Sequence, residues 1–489
     1  MLLSQDEGAA QYIPIKWRKL YTFLVSLRPE PNSMRTGLYI HYITSIVIAL
    51  LLGGCIGVDD HQTNDVTPPI NEEPETYTII YYAVGGETLD KAIEMSITSV
   101  VGNLSENIKL TGCVKWTDNY KSELCDSEGG TYRFIHTEQS GELRLEHVGD
   151  SNFPMYEPEN IADFICWSKE VAPADNYILV LAGHGNGWHP EVGLTAGGES
   201  TRGTLRDTGL DRYISLEELC AGVAASQTHF RMIHMISCLM NNVEYITSLA
   251  PYCDYILGSS HISVMLCSEL RILCFVLGNM IDNQADSFIE AMTNYLSNID
   301  NDIKYHSNLE EETIDFVLTD THEVAALNRE VGLLTDRLIQ IYDLSDSLGE
   351  EEFVEKYGAT IAEMERAVAQ SYYFISAHIA PEDMATTEYL RMAFSYDLVD
   401  IAHRIATTIE DDAIRDIATA IETQAERARI LHYIKSPNNS LNVYYGITLT
   451  NSILWAERGY SEAGYEETPF DKATGWSRFL KRNNIEVAY

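Results

Sequence analysis

Tyr177-Ile-Leu-Val-Leu-Ala-Gly-His-Gly-Asn-Gly-Trp188 is an apolar run that ends abruptly on a histidine set between glycines. A strand with one face in water alternates polar and apolar residues. This run does not alternate, so it predicts a strand buried on both faces, as in a parallel sheet covered by helices. Met232-Ile-His-Met-Ile-Ser-Cys-Leu-Met240 repeats the pattern, with Cys238 where the first run has His184. In open α/β sheets, reacting groups collect beyond the carboxyl ends of strands. A right-handed crossover between parallel strands would bring these two ends to one rim.

Working outward, residues 77–83, 108–116, 131–136 and 255–258 also read as strands, being rich in β-branched and aromatic side chains. Helical periodicity marks residues 89–104, 157–171 and 216–225. Residues 323–434 become almost wholly helical, and 441–449 return to strand. The fold class expected is α/β, a mostly parallel sheet flanked by helices with a largely helical C-terminal region.

A thiol is a useful nucleophile when a base is at hand to take its proton. His184 can supply that base and later protonate a leaving amine. The amides of Gly185 and Cys238 are the natural donors for a tetrahedral oxyanion. A histidine about 50 residues before a cysteine, both at strand ends, is the arrangement noted for caspases. Other chemistries find less support. His184 and His189 have no His-Glu-x-x-His partner set, so no metal is expected, and no cofactor. Neither Gly-x-Ser-x-Gly, a Walker A sequence nor Gly-x-Gly-x-x-Gly occurs.

The block Asn176–Trp188 resembles the catalytic-histidine segment of the clostripain-like cysteine peptidases, which share the caspase-type fold. Ile236-Ser-Cys-Leu-Met240, followed by Val243-Glu244 and Cys253-Asp-Tyr-Ile-Leu-Gly-Ser259, is similar to their catalytic-cysteine segment. Arg202-Gly203, Tyr213-Ile-Ser-Leu-Glu-Glu-Leu219 and the closing Tyr465, Phe470-Asp-Lys-Ala-Thr-Gly-Trp476 and Phe479-Leu480 extend the resemblance over residues 77–480. It implies a caspase-like core over residues 77–322 and a mainly helical region with a late strand over 323–489. It also implies a Cys238–His184 dyad acting on protein or peptide substrates. Family members are often activated by a cut between the two blocks, after a basic residue. Here Arg202 and Arg206 are the candidates. Two departures stand out. The family's acidic residue two positions before the cysteine, which helps receive a basic P1 side chain, is Ile236. Residues 261–278 are apolar where the family is polar. They motivate a second reading, a surface lipoprotein that keeps the fold and binds peptide without cutting it.

The N-terminus speaks to location. Lys16, Arg18, Lys19, Arg28 and Arg35 precede an apolar run, Ile43-Thr-Ser-Ile-Val-Ile-Ala-Leu-Leu-Leu52, and then Gly53-Gly54-Cys55. The run is short for a permanent span. It reads as a secretory signal over residues 34–55 that ends in a lipobox, with Cys55 lipidated. Met34 makes a conventional start for it, so residues 1–33 are expected to be an over-long reading of the gene. Residues 56–76 are polar, contain Pro68, Pro69 and Pro74, and read as a linker. The expected location is the bacterial cell envelope, on the outer membrane or cell surface, with membrane contact through the lipid only. Lys and Arg number 33 against 73 Asp and Glu, a net charge of −40, which argues against nucleic acid as a partner. Nine cysteines occur without any Cys-x-x-Cys, and few disulfides are expected.

Overall fold

Long runs of branched and aromatic residues become the centre of a nine-stranded sheet in the computed structural model. It describes residues 75–86, 89–125, 128–185, 187–188, 204–207, 209–210, 212–261, 264–280, 284–305, 314–369, 371, 373–374, 395–435, 445–450 and 465–482. Cys55 and the signal of residues 34–55, all of the 56–76 linker except its last two residues, His189 and Arg202 lie outside the described residues.

The strands are β1 (Tyr77–Val84), β2 (Ile108–Lys121), β3 (Glu128–Thr137), β4 (Glu146–Gly149), β5 (Asn176–Ala182), β6 (Thr204–Asp207) and β7 (Arg212–Ile214). They continue with β8 (Phe230–Ile236), β9 (Cys253–Gly258), β10 (Ile314–Asp320), β11 (Tyr373–Phe374), β12 (Ser395–Asp397), β13 (Arg429–Lys435) and β14 (Thr448–Thr450). Across the main sheet the order is β13-β10-β9-β8-β5-β1-β2-β3-β4. The five central strands, β9 to β2, are parallel, and the flanks are antiparallel. β6 pairs with β7, and β12 with β11 and β14, in two small separate sheets.

Helices cover both faces. They are α1 (Leu89–Val100), α2 (Pro158–Val171), α3 (Leu216–Ala225), α4 (Val243–Leu249), α5 (Glu269–Gly278) and α6 (Ala285–Tyr305). The C-terminal part adds α7 (Val324–Leu344), α8 (Glu350–Ala369), α9 (Leu398–Thr408), α10 (Asp412–Ala428), α11 (Pro469–Thr474) and α12 (Trp476–Arg482). Every residue of β1 is buried, as a continuous apolar run requires. Ile80, Leu179, Leu181, Ile233 and Met235 pack with α2, α3, α4 and the C-terminal helices on one face. Ile79, Ile178, Val180, Met232 and Ile236 pack with α1, α5 and α6 on the other. Each fully buried aliphatic side chain contributes about 1.5–3 kcal/mol.

The topology positions the site. From β1 the chain crosses by α1 to β2. From β5 it moves the opposite way, by α3 to β8 and by α4 to β9. Right-handed crossovers travelling in opposite directions put their helices on opposite faces. The reversal lies between β1 and β5, and crevices form at the carboxyl ends of strands there.

Three differences from the sequence reading have physical reasons. The apolar stretch 261–278 carries α5, whose Leu270, Leu273, Cys274 and Leu277 are buried against the sheet face, so its composition is that of a core helix. β13 lies inside the stretch expected to be helical. Its residues are all only half-buried, so no run of core residues announces it, and it joins the sheet by antiparallel pairing with β10. β10 itself was not expected, although six of its seven residues are buried. Cys113, Cys166, Cys220, Cys253, Cys267 and Cys274 are free thiols. Among the described residues no helix is long and apolar enough to cross a membrane.

Candidate active site

β5 and β8 run parallel, with Ala182 opposite Ile236. His184 and Cys238 each stand two residues beyond that pair, at matching positions on adjacent strand ends. Both are partly exposed, while Ala182, Gly183 and Ser237 are buried. The two strand ends are tied directly. Gly183 N–H donates to Ile236 O at 3.2 Å, and Ser237 Oγ donates to Gly183 O at 2.9 Å.

The glycines of the His-Gly-Asn-Gly run are explained by this contact. A Cβ on Gly185 would stand 2.5 Å from Cys238 O and 3.0 Å from Cys238 N. Gly187 has φ +57, and a Cβ there would stand 2.8 Å from Leu239 O. The histidine loop therefore lies directly on the backbone of the cysteine turn, an approach only glycine permits.

The cysteine turn is held from its other side. Leu239 has φ 62, left-handed for a branched residue, a strain of about 1 kcal/mol or more. Leu239 N–H donates to His261 O at 3.0 Å and Asn241 N–H to Ser259 O at 2.9 Å. The Asn242 side chain accepts from Tyr245 N–H at 3.0 Å, capping α4, and donates to Leu239 O at 2.8 Å. Behind this turn, fully buried Asp315 accepts from Ser260 N–H at 2.7 Å, Ser260 Oγ at 2.6 Å and His432 Nε2 at 3.1 Å. Burial pushes the Asp315 carboxyl up, but His432 and Ser260 outweigh it and hold it below the usual carboxylate range.

The C-terminal segment reaches the same rim. Trp188 packs edge-on to Tyr465, ring centroids 4.8 Å apart. The Tyr465 hydroxyl donates to Glu244 Oε1 on α4 at 2.9 Å. One buried tyrosine therefore touches the segments that follow both His184 and Cys238. Asn241 adds a second tie, donating from Nδ2 to Gly446 O at 2.5 Å and accepting from Thr448 N–H at 3.2 Å.

A profile of the clostripain family matches residues 124–482, most of the chain and all of this rim. The chain belongs to the clostripain family. It is a clostripain-like cysteine peptidase. Among solved structures, it is similar to a secreted C11 cysteine protease of Bacteroides thetaiotaomicron, called iotapain, with 14% identity and TM-score 0.53. The alignment covers 82% of this chain and 99% of that one. A secreted C11 cysteine protease of B. thetaiotaomicron in complex with an irreversible peptide inhibitor gives 14% identity, TM-score 0.55 and the same coverage of 82% and 99%. An inactive zymogen C11 protease of Parabacteroides distasonis gives 16% identity and TM-score 0.52, again over 82% of this chain and 99% of that one. At such identities the likeness establishes the caspase-like fold. No curated protein matches this clostripain-family chain.

Ile236, where the family usually carries an acid, is 6% exposed within the apolar cluster of α1, α5 and α6. Arg206 lies in β6, and its N–H donates to His184 O at 3.0 Å. Among the described residues, no group of three or more His, Cys, Asp or Glu could hold a metal ion. Sequence reasoning missed the Asp315, Tyr465–Glu244 and Lys115–Asp207 contacts. For Lys115 a local signal existed, since it stands between Val114 and Trp116 in an apolar strand.

Proposed function

We propose that this peptidase cleaves peptide bonds with Cys238 as nucleophile and His184 as general base. The observation that carries the reading is the matching register of the two residues on adjacent parallel strands, with Gly185 against the Cys238 backbone. His184 takes the thiol proton, and the thiolate adds to the peptide carbonyl. The amides of Gly185 and Cys238 receive the oxyanion. His184 then protonates the departing amine, leaving a thioester that water hydrolyses with the same imidazole as base. The test is direct. Cys238→Ala and His184→Ala should each abolish peptidase activity while keeping the wild-type melting temperature. A folded variant that cleaves peptides at near the wild-type rate refutes the dyad.

The finer features belong to the same reading. A neutral, buried Ile236 supplies no charge for a basic P1 side chain, so P1 preference is to be read from a peptide library. The Leu-Gly-Gly-Cys55 sequence supports lipid anchoring in the cell envelope. A Cys55→Ala protein that stays equally membrane-bound counts against it. If a basic P1 is accepted despite Ile236, the self-processing site is Arg202 rather than Arg206, because β6 around Arg206 is largely buried and bonded to His184. The P. distasonis relative is described as an inactive zymogen, which supports an activation step. Wild-type and Cys238→Ala proteins incubated side by side on a denaturing gel test this. A wild-type chain that stays whole while cleaving substrate removes the need for processing.

A further inference from the structure

β6 is short, and among the described residues its own sheet has one partner strand, the three-residue β7. An isolated hairpin of that size is not stable by itself. Yet β6 lies against the backbone of the histidine loop. Thr204 bridges Gly185, and Arg206 N–H donates to His184 O at 3.0 Å. Between them the register shifts at Leu205, which is left-handed at φ 52 and fully buried. A Cβ on Gly183 would stand 3.0 Å from Leu205 Cδ2. Bulges of this kind re-aim backbone beside active sites, and the strain persists only where the surroundings enforce it.

Two residues further on, β6 ends in a buried ion pair. Lys115 Nζ, where β2 passes the end of β1, donates to Asp207 Oδ2 at the end of β6 and to Phe153 O at 3.1 Å. Asp207 Oδ1 accepts from Gly209 N–H at 3.1 Å and Leu210 N–H at 3.2 Å. Lys115 O accepts from Gly85 N–H at 2.9 Å, which roots the lysine in the rim of β1 and β2. Lys115 is 4% and Asp207 3% exposed. Desolvating two charges so completely costs several kcal/mol per ion, and apolar residues of similar volume usually serve stability as well or better. Stability alone is therefore a poor account of the pair. Its geometry has a direct one, because it fixes the end of the strand that holds His184.

We infer that the buried Lys115–Asp207 pair braces β6 against the main sheet and so holds the His184 backbone in register with Cys238. Lys115 and Asp207 are positioning residues, and the inference rests on the Cys238–His184 reading.

The experiment uses the full chain with both partners replaced, Lys115→Met with Asp207→Asn. This removes both charges together and keeps a carbonyl for Gly209 and Leu210. Melting temperature, kcat, KM and the pH dependence of Cys238 alkylation, followed on the Cys238 peptide by mass spectrometry, are measured beside His184→Ala. The expected result is a melting temperature within a few degrees of wild type, KM nearly unchanged and kcat down about tenfold or more, as for loss of positioning rather than of binding. The acid limb of the alkylation profile should move toward that of an unassisted thiol. A double variant with wild-type kcat and alkylation profile overturns the brace, provided that His184→Ala abolishes the acid limb. A His184→Ala profile identical to wild type overturns the dyad, and the brace with it. If the double variant does not fold, Asp207→Asn alone breaks the ion pair and keeps the carbonyl for Gly209 and Leu210. It should give the same shift, and a wild-type profile there overturns the brace.

Discussion

Replacing Gly185 by alanine tests the closeness of the two strand-end loops with a single methyl group. Gly185 is not among the positive-φ residues, so alanine fits the backbone conformation and the effect is steric. The new Cβ would stand 2.5 Å from Cys238 O, 2.8 Å from Ser237 Cβ and 3.0 Å from Cys238 N. Comfortable contact needs about 3.5 Å. Two of the obstacles are backbone, and the third belongs to a serine pinned by its 2.9 Å bond to Gly183 O. The loops must therefore part by about 1 Å. A misplacement of that size costs about a hundredfold in rate, whereas overpacking costs only about 1–3 kcal/mol of stability. The assay is kcat and KM on any peptide that the wild type cleaves, with thermal unfolding alongside. Gly349→Ala is the control, since nothing lies within 4 Å of a Cβ there. A folded Gly185→Ala enzyme with kcat within threefold of wild type would show that the two loops do not need this contact.

His234 predicts a pH effect on stability. Burial pushes its imidazole down from 6.5 to about 4, against the opposing bond to Leu257 O. The unfolded chain takes up the proton below 6.5 and the folded one resists it to about 4. Stability therefore falls as pH drops through that window, by about 3 kcal/mol in total. Denaturation of His234→Leu across the window should show a flatter slope, and an unchanged slope assigns the effect elsewhere. Tyr465→Phe removes a buried hydroxyl bonded to a carboxylate and should cost about 2 kcal/mol in chemical denaturation. A loss under about 0.5 kcal/mol would mean that the bond contributes little to the C-terminal docking.

The parts of the fold that the sequence announced are those whose burial is written locally. β1, β5 and β8 are unbroken apolar runs, and the placing of His184 and Cys238 just beyond two neighbouring strand ends was legible because each stands where an apolar run stops. What was not legible depends on distant partners. β13 exposes part of every residue and is a strand because β10 lies beside it. The β6–β7 hairpin sits in a polar, glycine-rich stretch. Its anchor is a lysine 92 residues away, a pairing that no local pattern contains. Arg206 looked like one of two equivalent basic residues in a loop, until its strand set it against His184.

The Tyr465–Glu244 bond spans 221 residues of chain, and it has a consequence for how the molecule is made. Synthesis runs from the N-terminus, so both reactive segments emerge long before the residue that clasps them. Contacts closing so long a loop are late in folding, because the entropy of closure is spent before they form. A ribosome-bound chain stopped short of Tyr465 has Trp188 without its aromatic neighbour and Glu244 without its phenol. Until Tyr465 has been made and has docked, the two strand-end segments lack the side chain that joins them, so the rim is completed late in folding.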